Sequence, residues 1–339
     1  MRHYYRPLAQ TDAARPADAL TLAGGWAWFT QAEMLCRTEP PRLVPAHAVP
    51  QEVRAALCAP RPALAGRTMD RPRIMGILNV TPDSFSDGGR FDRPDAALAQ
   101  GRALADAADI LDVGGESTRP GAAEVPVEDE IARTAPVIAA LRAAGLHLPI
   151  SIDTRKAAVA SAALDAGANM VNDVAAFTHD PALAAVSARA GVPVCLMHAQ
   201  GDPQTMQADP RYDDVLLDVY DFLEHRIAAA QAAGIARAQI VVDPGIGFGK
   251  TQAHNLALIR GLSLFHGLGC PILLGASRKR FIGTIGGAAQ ADGRAPGSIA
   301  VALAGIAQGV QILRVHDAGE TRQAVRLAMA LYGMETAHG

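Results

Sequence analysis

The sequence lacks a strong charge, paired cysteines and a metal-binding cysteine motif. Its formal net charge is −3 over 339 residues, so there is no basic excess and we expect no nucleic-acid partner. The cysteines lie far apart and form no CxxC spacing, which argues against a zinc knuckle, a redox pair and a disulfide framework. They are Cys36, Cys58, Cys195 and Cys270.

The chain also lacks a segment directed to a membrane. Its N-terminus, "MRHYYRPLAQTD", has no apolar stretch of the kind that a secretion signal needs. The longest apolar stretch, "SIAVALAGIAQGVQIL", carries Gln and Gly and is too short to span a bilayer. We therefore expect a cytoplasmic protein without a membrane partner.

What the chain has is a repeated unit from about residue 71 onward. Half of the residues are apolar, and short apolar runs ending in polar residues or Gly alternate with Ala- and Leu-rich amphipathic stretches. The eight runs are "RIMGILNV" (73–80), "ILDVGGE" (110–116), "PISIDT" (149–154), "MVNDV" (170–174), "VPVCLMH" (192–198), "QIVVDPG" (239–245), "PILLGAS" (271–277) and "ILRVHD" (312–317). Continuous apolar strands alternating with helices predict a parallel sheet covered by helices.

Eight such units in about 250 residues favour a (β/α)8 TIM barrel over an open doubly wound sheet. We assign the barrel to residues 71–339. Residues 1–70 lack the strand–helix rhythm and hold both tryptophans, Trp26 and Trp28. They predict an N-terminal extension of unknown role that packs either on the barrel or on a second subunit.

Polar residues cluster at the ends of the predicted strands, the edge on which barrels build active sites. They are Asn79, Glu116, Asp153, Asn172, Asp173, His198, Asp243, Ser277, Arg314 and His316. The segment "NVTPDSFSDGGRF" that follows the first strand reads as a long loop shaped by Pro and Gly-Gly, typical of a flap and not of a tight turn.

The segment "DPGIGFGKT" (243–251) nearly matches a phosphate-binding P-loop. That motif needs Gly five residues before its final Gly, and this chain has Pro244 there. A nucleotide-triphosphatase is therefore the weaker interpretation. The stronger one is that the glycines let a flat ligand lie close to Asp243.

Asp153, Asn172 and Asp243 end the third, fourth and sixth strands. Each alone could be the N-cap of the next helix, but three from separate strands suggest one site. A carboxylate accepts two parallel hydrogen bonds, so the set suits the edge of an amino-pyrimidine.

Basic residues follow the last two strands. In "SRK", Arg278 and Lys279 are either a solvated basic face or part of a phosphate site, and Lys279 could instead form a Schiff base. In "RVHD", Arg314 and His316 lie two positions apart and suit a diphosphate. A metallohydrolase would need a His-x-His on the first strand, which has "ILNV".

Seven segments in this order resemble the dihydropteroate synthase family: "MGILNVTPDSFSDGG", "DVGGESTRPGA", "SIDT", "NDV", "DPGIGFGK", "SRK" and "RVHD". The resemblance spans residues 73 to about 335. It implies a transferase that joins 6-hydroxymethyl-7,8-dihydropterin diphosphate to 4-aminobenzoate, with Mg²⁺ as cofactor, and it suggests a homodimer. The alternatives are a pterin-binding methyltransferase and a catalytically idle paralogue that binds pterin.

The resemblance also implies residue roles, which we carry over as expectations. The pterin site comprises Thr118, Asp153, Asn172, Met197, Asp243, Phe248 and Lys279; the diphosphate site comprises Asn79, Arg314 and His316, with Asn79 also on the magnesium. The 4-aminobenzoate pocket comprises Phe85, Arg119, Pro120, Ser277 and Arg278. The catalytic group is expected to be Lys279, Arg314, His316 and Asp153.

Overall fold

The computed structural model describes residues 2–81, 93–117, 121–202 and 205–334, and its first part is a small β-rich unit. The elements are β1 (Tyr4–Pro7), β2 (Leu20–Thr21), β3 (Trp28–Phe29), β4 (Gln31–Leu35), β5 (Arg42–Pro45) and α1 (Gln51–Cys58). Strands β1, β4 and β5 form an antiparallel sheet, and β2 pairs with β3. The N-terminal extension therefore has a folded structure that its sequence pattern did not predict.

The eight predicted barrel strands are all present. They are β6 (Arg73–Asn79), β7 (Ile110–Gly114), β8 (Ile150–Asp153), β9 (Met170–Asp173), β10 (Val194–Met197), β11 (Ile240–Asp243), β12 (Leu273–Leu274) and β13 (Ile312–Val315). They pair in parallel in the order β11, β10, β9, β8, β7, β6, β13, β12. A parallel bridge between Val242 and Ile272 brings β11 to the start of β12, so the (β/α)8 prediction is confirmed.

Helices connect successive strands and cover the outside of the barrel. They are α2 (Arg93–Ala105), α3 (Val127–Ala143), α4 (Ala157–Asp165), α5 (Ala182–Ala190), α6 (Val215–Ala232), α7 (Gln252–Arg260), α8 (Arg280–Gly286), α9 (Ala295–Ile306) and α10 (Ala318–Leu331). Local sequence sets some of their starts, since the Asp214 side chain accepts from two backbone N–H groups of the first turn of α6. Within the described ranges, no helix has the length and apolar character needed to cross a bilayer.

The barrel encloses a second, inner apolar cluster beside the large core under the helices. Most of its members lie near the start of a strand, and Leu64 and Met69 come from the segment that leads into the barrel. The cluster comprises Leu64, Met69, Met75, Ile110, Met170, Cys195, Val241, Leu273 and Ile312. Side chains therefore fill the N-terminal half of the barrel, as in other packed barrels. The division at residue 70 stays a prediction.

The extension packs against the barrel through buried contacts. Trp26 is only 6% exposed, and its Nε1 donates to the carbonyl oxygen of Ile306 at 2.8 Å. Arg61 Nη2 donates to the carbonyl oxygen of His266 at 2.9 Å, within the 3₁₀ helix Leu262–Leu268. The sequence left open whether the extension packs on the barrel or on a second subunit, and these contacts show that it packs on the barrel.

We expect Trp26→Ala to destabilise the whole protein by about 3–5 kcal/mol, because it removes a buried aromatic side chain and its hydrogen bond. Chemical denaturation followed by circular dichroism measures the loss. Leu43→Ala is the control: Leu43 is 61% exposed on β5, so its substitution should change the free energy of unfolding by less than about 0.5 kcal/mol. Equal effects of the two substitutions would contradict a docked extension.

Candidate active site

A polar layer lies directly above the inner apolar cluster. Side chains two positions apart on a strand leave the same face, and on several strands the residue two positions past a cluster member is polar. These pairs are Ile110 and Asp112, Met170 and Asn172, Val241 and Asp243, and Ile312 and Arg314. The strands thus change from apolar to polar inside the barrel as they approach its C-terminal mouth.

Arg314 lies at the centre of this layer. Its Nη2 donates to Asp153 Oδ2 and its Nε donates to Asp112 Oδ2, both at 2.6 Å. Burial opposes the positive charge, but Asp112 and Asp153 outweigh that effect and raise the pKa of Arg314 above its ordinary value. The guanidinium therefore stays charged at every accessible pH, which suits the anion-binding role expected for it.

The two carboxylates expected to bind pterin lie in low-polarity surroundings. Burial raises the pKa of Asp153 to about 7, although Arg314 acts in the opposite direction. Burial also raises the pKa of Asp243, against the effect of Lys279. Among the described residues, Asp153 Oδ1 is buried without a hydrogen-bond partner. An unsatisfied buried acceptor of this kind is costly unless a ligand donates to it.

Lys279 and Phe248 meet at the loop that follows β11. Lys279 Nζ donates to the carbonyl oxygen of Ile246 and lies 4.2 Å from the centre of the Phe248 ring. A Cβ on Gly247, whose φ is +84°, would lie 2.9 Å from Lys279 Cδ, so glycine permits this approach. Burial lowers the pKa of Lys279 to about 7, while Asp243 raises it.

Lys250, the lysine of the P-loop-like segment, is buried and engaged inside the protein. Its Nζ lies 2.8 Å from His198 Nδ1 and donates to the carbonyl oxygen of Phe248 at 2.9 Å. These contacts join the loop after β11 to the end of β10. A P-loop lysine must reach a phosphate, so the geometry argues against the nucleotide-triphosphatase alternative.

Residues after β12 and β13 pair with one another at the mouth. Ser277 Oγ lies 3.0 Å from His316 Nδ1 and accepts from the His316 backbone N–H at 3.2 Å. Arg278 Nε donates to Asp317 Oδ2 at 3.0 Å, and this contact raises the pKa of Arg278. The roles expected for Ser277, Arg278 and His316 stay predictions.

Asn79 ends β6 next to the polar layer and has the chemistry of a magnesium ligand. A Cβ on Gly114 would lie 3.8 Å from Asn79 Oδ1 and 3.6 Å from Asp153 Oδ2, so the two oxygens flank this glycine. The described residues hold no group of three or more His, Cys, Asp or Glu suited to a metal. A single amide oxygen nevertheless fits Mg²⁺, which usually keeps several waters and binds substrate phosphates.

Four expected site residues lie outside the described residues. They are Phe85, Thr118, Arg119 and Pro120. Met197 ends β10 and is 3% exposed. It pairs in register with Asp243 on β11, so the two residues lie at the same level of the barrel.

Sequence reasoning missed the partners of the second loop. Glu116 Oε1 accepts from the Val125 backbone N–H at 3.0 Å, which joins the two ends of the segment between them. Lys156 Nζ lies 3.4 Å from Glu116 Oε1 and 2.8 Å from Glu130 Oε2. Buried charges persist when they are paired in this way. The missed signal was that Lys156, like Lys250 and Lys279, is one of only three lysines in the chain.

Comparison with known proteins identifies the kind of barrel. The model of the family described as pterin binding enzyme matches residues 75–316. Dihydropteroate synthase of Escherichia coli strain K12 is 45% identical over 263 residues, covering 77% of this chain and 92% of its own. That of Neisseria meningitidis serogroup B is 48% identical over 269 residues, covering 78% and 94%. This chain belongs to the dihydropteroate synthase family of pterin-binding enzymes.

Solved structures of the same family superpose on most of the chain. Xanthomonas albilineans dihydropteroate synthase with 4-aminobenzoic acid has a TM-score of 0.76 at 47% identity and covers 81% of this chain and 99% of its own. The same enzyme in complex with 7,8-dihydropteroate has a TM-score of 0.74 at 45% identity, covering 81% and 100%. About a fifth of this chain therefore lies outside these family members.

We expect Asp243→Asn to lower the pKa of Lys279 below about 7, because burial already lowers it and Asp243 is the main group that raises it. With only three lysines in the chain, NMR of lysine-labelled protein can follow each ammonium group against pH. The midpoint for Lys279 should move to lower pH. Asp317→Asn, which removes the carboxylate paired with Arg278, should leave it unchanged. An unmoved midpoint in Asp243→Asn would contradict this electrostatic pairing.

Proposed function

We propose that this protein joins 6-hydroxymethyl-7,8-dihydropterin diphosphate to 4-aminobenzoate, giving 7,8-dihydropteroate and diphosphate. The observation that carries the proposal is the buried polar layer in which Asp153, Asn172 and Asp243 face the same mouth as Arg314 and Lys279. Membership of the family, with relatives solved together with 4-aminobenzoic acid and 7,8-dihydropteroate, supports the same reaction. The protein is accordingly a transferase that acts on small molecules.

We propose that the buried carboxylates of Asp153 and Asp243 recognise the pterin by accepting hydrogen bonds from its edge. A pterin edge offers adjacent N–H donors, and a carboxylate accepts two of them side by side. Asp153 Oδ1 has no partner among the described residues, and Asp243 uses Oδ1 for the Gly245 N–H at 2.7 Å. A bound pterin would supply the missing donors and so offset the cost of burying the carboxylates. Met197 and Phe248 are proposed to pack on the faces of the ring.

The reaction needs charge stabilisation more than covalent help. The C–O bond between the pterin methylene and the diphosphate breaks, and its electron pair leaves on the diphosphate oxygen. The amine nitrogen of 4-aminobenzoate then forms a C–N bond to the methylene and releases a proton to solvent. Arg314, with His316 beside it, is proposed to stabilise the departing charge, while Lys279 and Asp153 hold the ring in place.

Magnesium is proposed to bind through Asn79. When bound, Mg²⁺ supplies charge neutralisation on the diphosphate, and the support in this chain is the Asn79 amide oxygen, which flanks Gly114 as Asp153 does. Activity that persists after thorough chelation of divalent cations would exclude this cofactor.

The 4-aminobenzoate pocket is proposed to use Phe85, Arg119, Pro120, Ser277 and Arg278, with Thr118 on the pterin. Support comes from the resemblance of the two loop motifs and of "SRK" to the family pattern. The contact between Ser277 and His316 supports a pocket adjacent to the proposed diphosphate site.

A homodimer and a cytoplasmic location are proposed as well. Exposed apolar residues at the end of α10 support self-association: Leu327 is 63% exposed and Leu331 is 75% exposed, and Met334, just past the helix, is 38% exposed. Sedimentation at the mass of a single chain would rule out the dimer. All four cysteines are free, which suits a reducing compartment; recovery of the protein outside the cytoplasm on cell fractionation would overturn the location.

The deciding assay uses the purified protein, the pterin diphosphate, labelled 4-aminobenzoate and Mg²⁺. We expect labelled dihydropteroate. Pterin binding without product would favour the idle paralogue, and methyl transfer to a corrinoid protein would favour the methyltransferase.

We expect Arg314→Ala to lower kcat about 100- to 1,000-fold, because it removes a donor that stabilises the departing diphosphate. The KM for 4-aminobenzoate should change little, since Arg314 belongs to the proposed diphosphate site and not to the proposed 4-aminobenzoate pocket. Steady-state kinetics with each substrate varied in turn measure both parameters. Arg326→Ala, which changes an exposed arginine on α10, is the control. A rise in the KM for 4-aminobenzoate with kcat intact would mean that Arg314 serves the other pocket.

A further inference from the structure

Asp112 is a buried carboxylate in the middle of β7 to which the proposed reaction gives no role. It is 0% exposed, and its Oδ2 accepts from Arg314 Nε at 2.6 Å and from Asn172 Nδ2 at 3.1 Å. Building on the proposed function, we propose that Asp112 is a positioning residue of the pterin site that acts through Asn172 and Arg314. It contacts both residues inside the barrel, two positions after Ile110 of the inner apolar cluster.

The contact with Asn172 determines which end of its amide faces the ligand. The amide nitrogen of Asn172 donates to Asp112 Oδ2, so the end of the amide next to Asp112 is the nitrogen. The Asn172 carbonyl oxygen is then turned away from Asp112 and is available to accept from a ligand. Without Asp112 the amide can rotate by about 180° and offer donors instead, which would oppose the N–H groups of a pterin edge.

The contact with Arg314 determines the orientation of its guanidinium. Asp112 on β7 engages Nε while Asp153 on β8 engages Nη2. Two carboxylates on different donors of one planar group fix the plane as well as the position of that group. Asp112 therefore holds Arg314, which is proposed to bind the diphosphate, in a fixed position relative to Asn172, which is proposed to bind the pterin.

Stability alone does not account for a carboxylate at this place. Asp112 lies inside the barrel. The residue before it on β7 that also faces inward, Ile110, belongs to the inner apolar cluster. Its Oδ1 has no hydrogen-bond partner among the described residues. Well-packed apolar residues often stabilise a protein as well as buried ion pairs do, so the acid is best explained by what it holds.

The test is a double-mutant cycle on binding of 6-hydroxymethylpterin, which carries no diphosphate, measured by calorimetry. We expect Asp112→Ala to weaken binding about tenfold or more, since it releases the Asn172 amide. In an Asn172→Ala background the same substitution should weaken binding by less than about threefold, because its effect passes through the missing amide. Equal losses in the two backgrounds, or binding within about twofold of the unaltered protein, would overturn the proposal.

Asp112→Asn covers the case in which Asp112→Ala does not fold. Its amide oxygen can replace Asp112 Oδ2, which accepts from both Asn172 and Arg314, but it lacks the charge that strengthens both hydrogen bonds. The KM for the pterin diphosphate should therefore rise about threefold or more with the KM for 4-aminobenzoate unchanged. Both KM values unchanged, in a variant that melts like the unaltered protein, would also overturn the proposal.

Asp173→Asn is the matched control for loss of a buried carboxylate. Asp173 is 0% exposed but accepts from the backbone N–H groups of Ala175 and Phe177. Its substitution should lower the melting temperature while pterin affinity stays within about twofold. Loss of pterin affinity in this control as well would overturn the proposal, because the effect would then follow from any lost buried carboxylate.

The binding cycle is independent of the overall reaction. If the unaltered protein binds pterin but makes no dihydropteroate, the proposed function fails while the role of Asp112 is still decided by calorimetry.

Discussion

The guanidinium of Arg314 is the group on which the arrangement of the mouth depends. It projects from β13, and its partners Asp112 and Asp153 belong to β7 and β8, which lie beyond β6 in the sheet. The side chain therefore crosses the inside of the barrel. A cation in this position is stable only because two carboxylates face it, and the cation in turn lowers the pKa of Asp153, which burial raises. Each charge at the mouth thus depends on the others.

Close backbone packing is the second constraint, and it explains the glycine-rich loop after β11. A Cβ on Gly245, whose φ is +68°, would lie 1.8 Å from the carbonyl oxygen of His198. Lys250 closes the same junction through His198 and Phe248. The loop resembles a phosphate-binding loop because both need glycines for close approach, but here the approach is to the neighbouring strand end and to Lys279.

The extension lies ahead of residues 75–316, which the family model matches. The solved relatives are covered almost completely by about four fifths of this chain. Leu64 and Met69 nevertheless belong to the inner apolar cluster, and the Trp26 indole N–H donates a hydrogen bond to the carbonyl oxygen of Ile306 at the end of α9. The extension thus shares core with the barrel at the end opposite the proposed substrates, and its Arg37 also pairs with Asp218 in the first turn of α6.

The sequence by itself determined the eight strands, their alternation with helices and the polar residues that end them, because apolar periodicity and strand ends are local properties of the chain. Asp153, Asn172, Asp243 and Lys279 could be found in this way. Only the tertiary structure decided the partners: Asp112 and Asp153 reach Arg314 across separations of 202 and 161 residues, and Lys250 and Lys156 are engaged in buried contacts. Which polar atoms meet depends on strand order and closure of the barrel, and neither is encoded in any one segment.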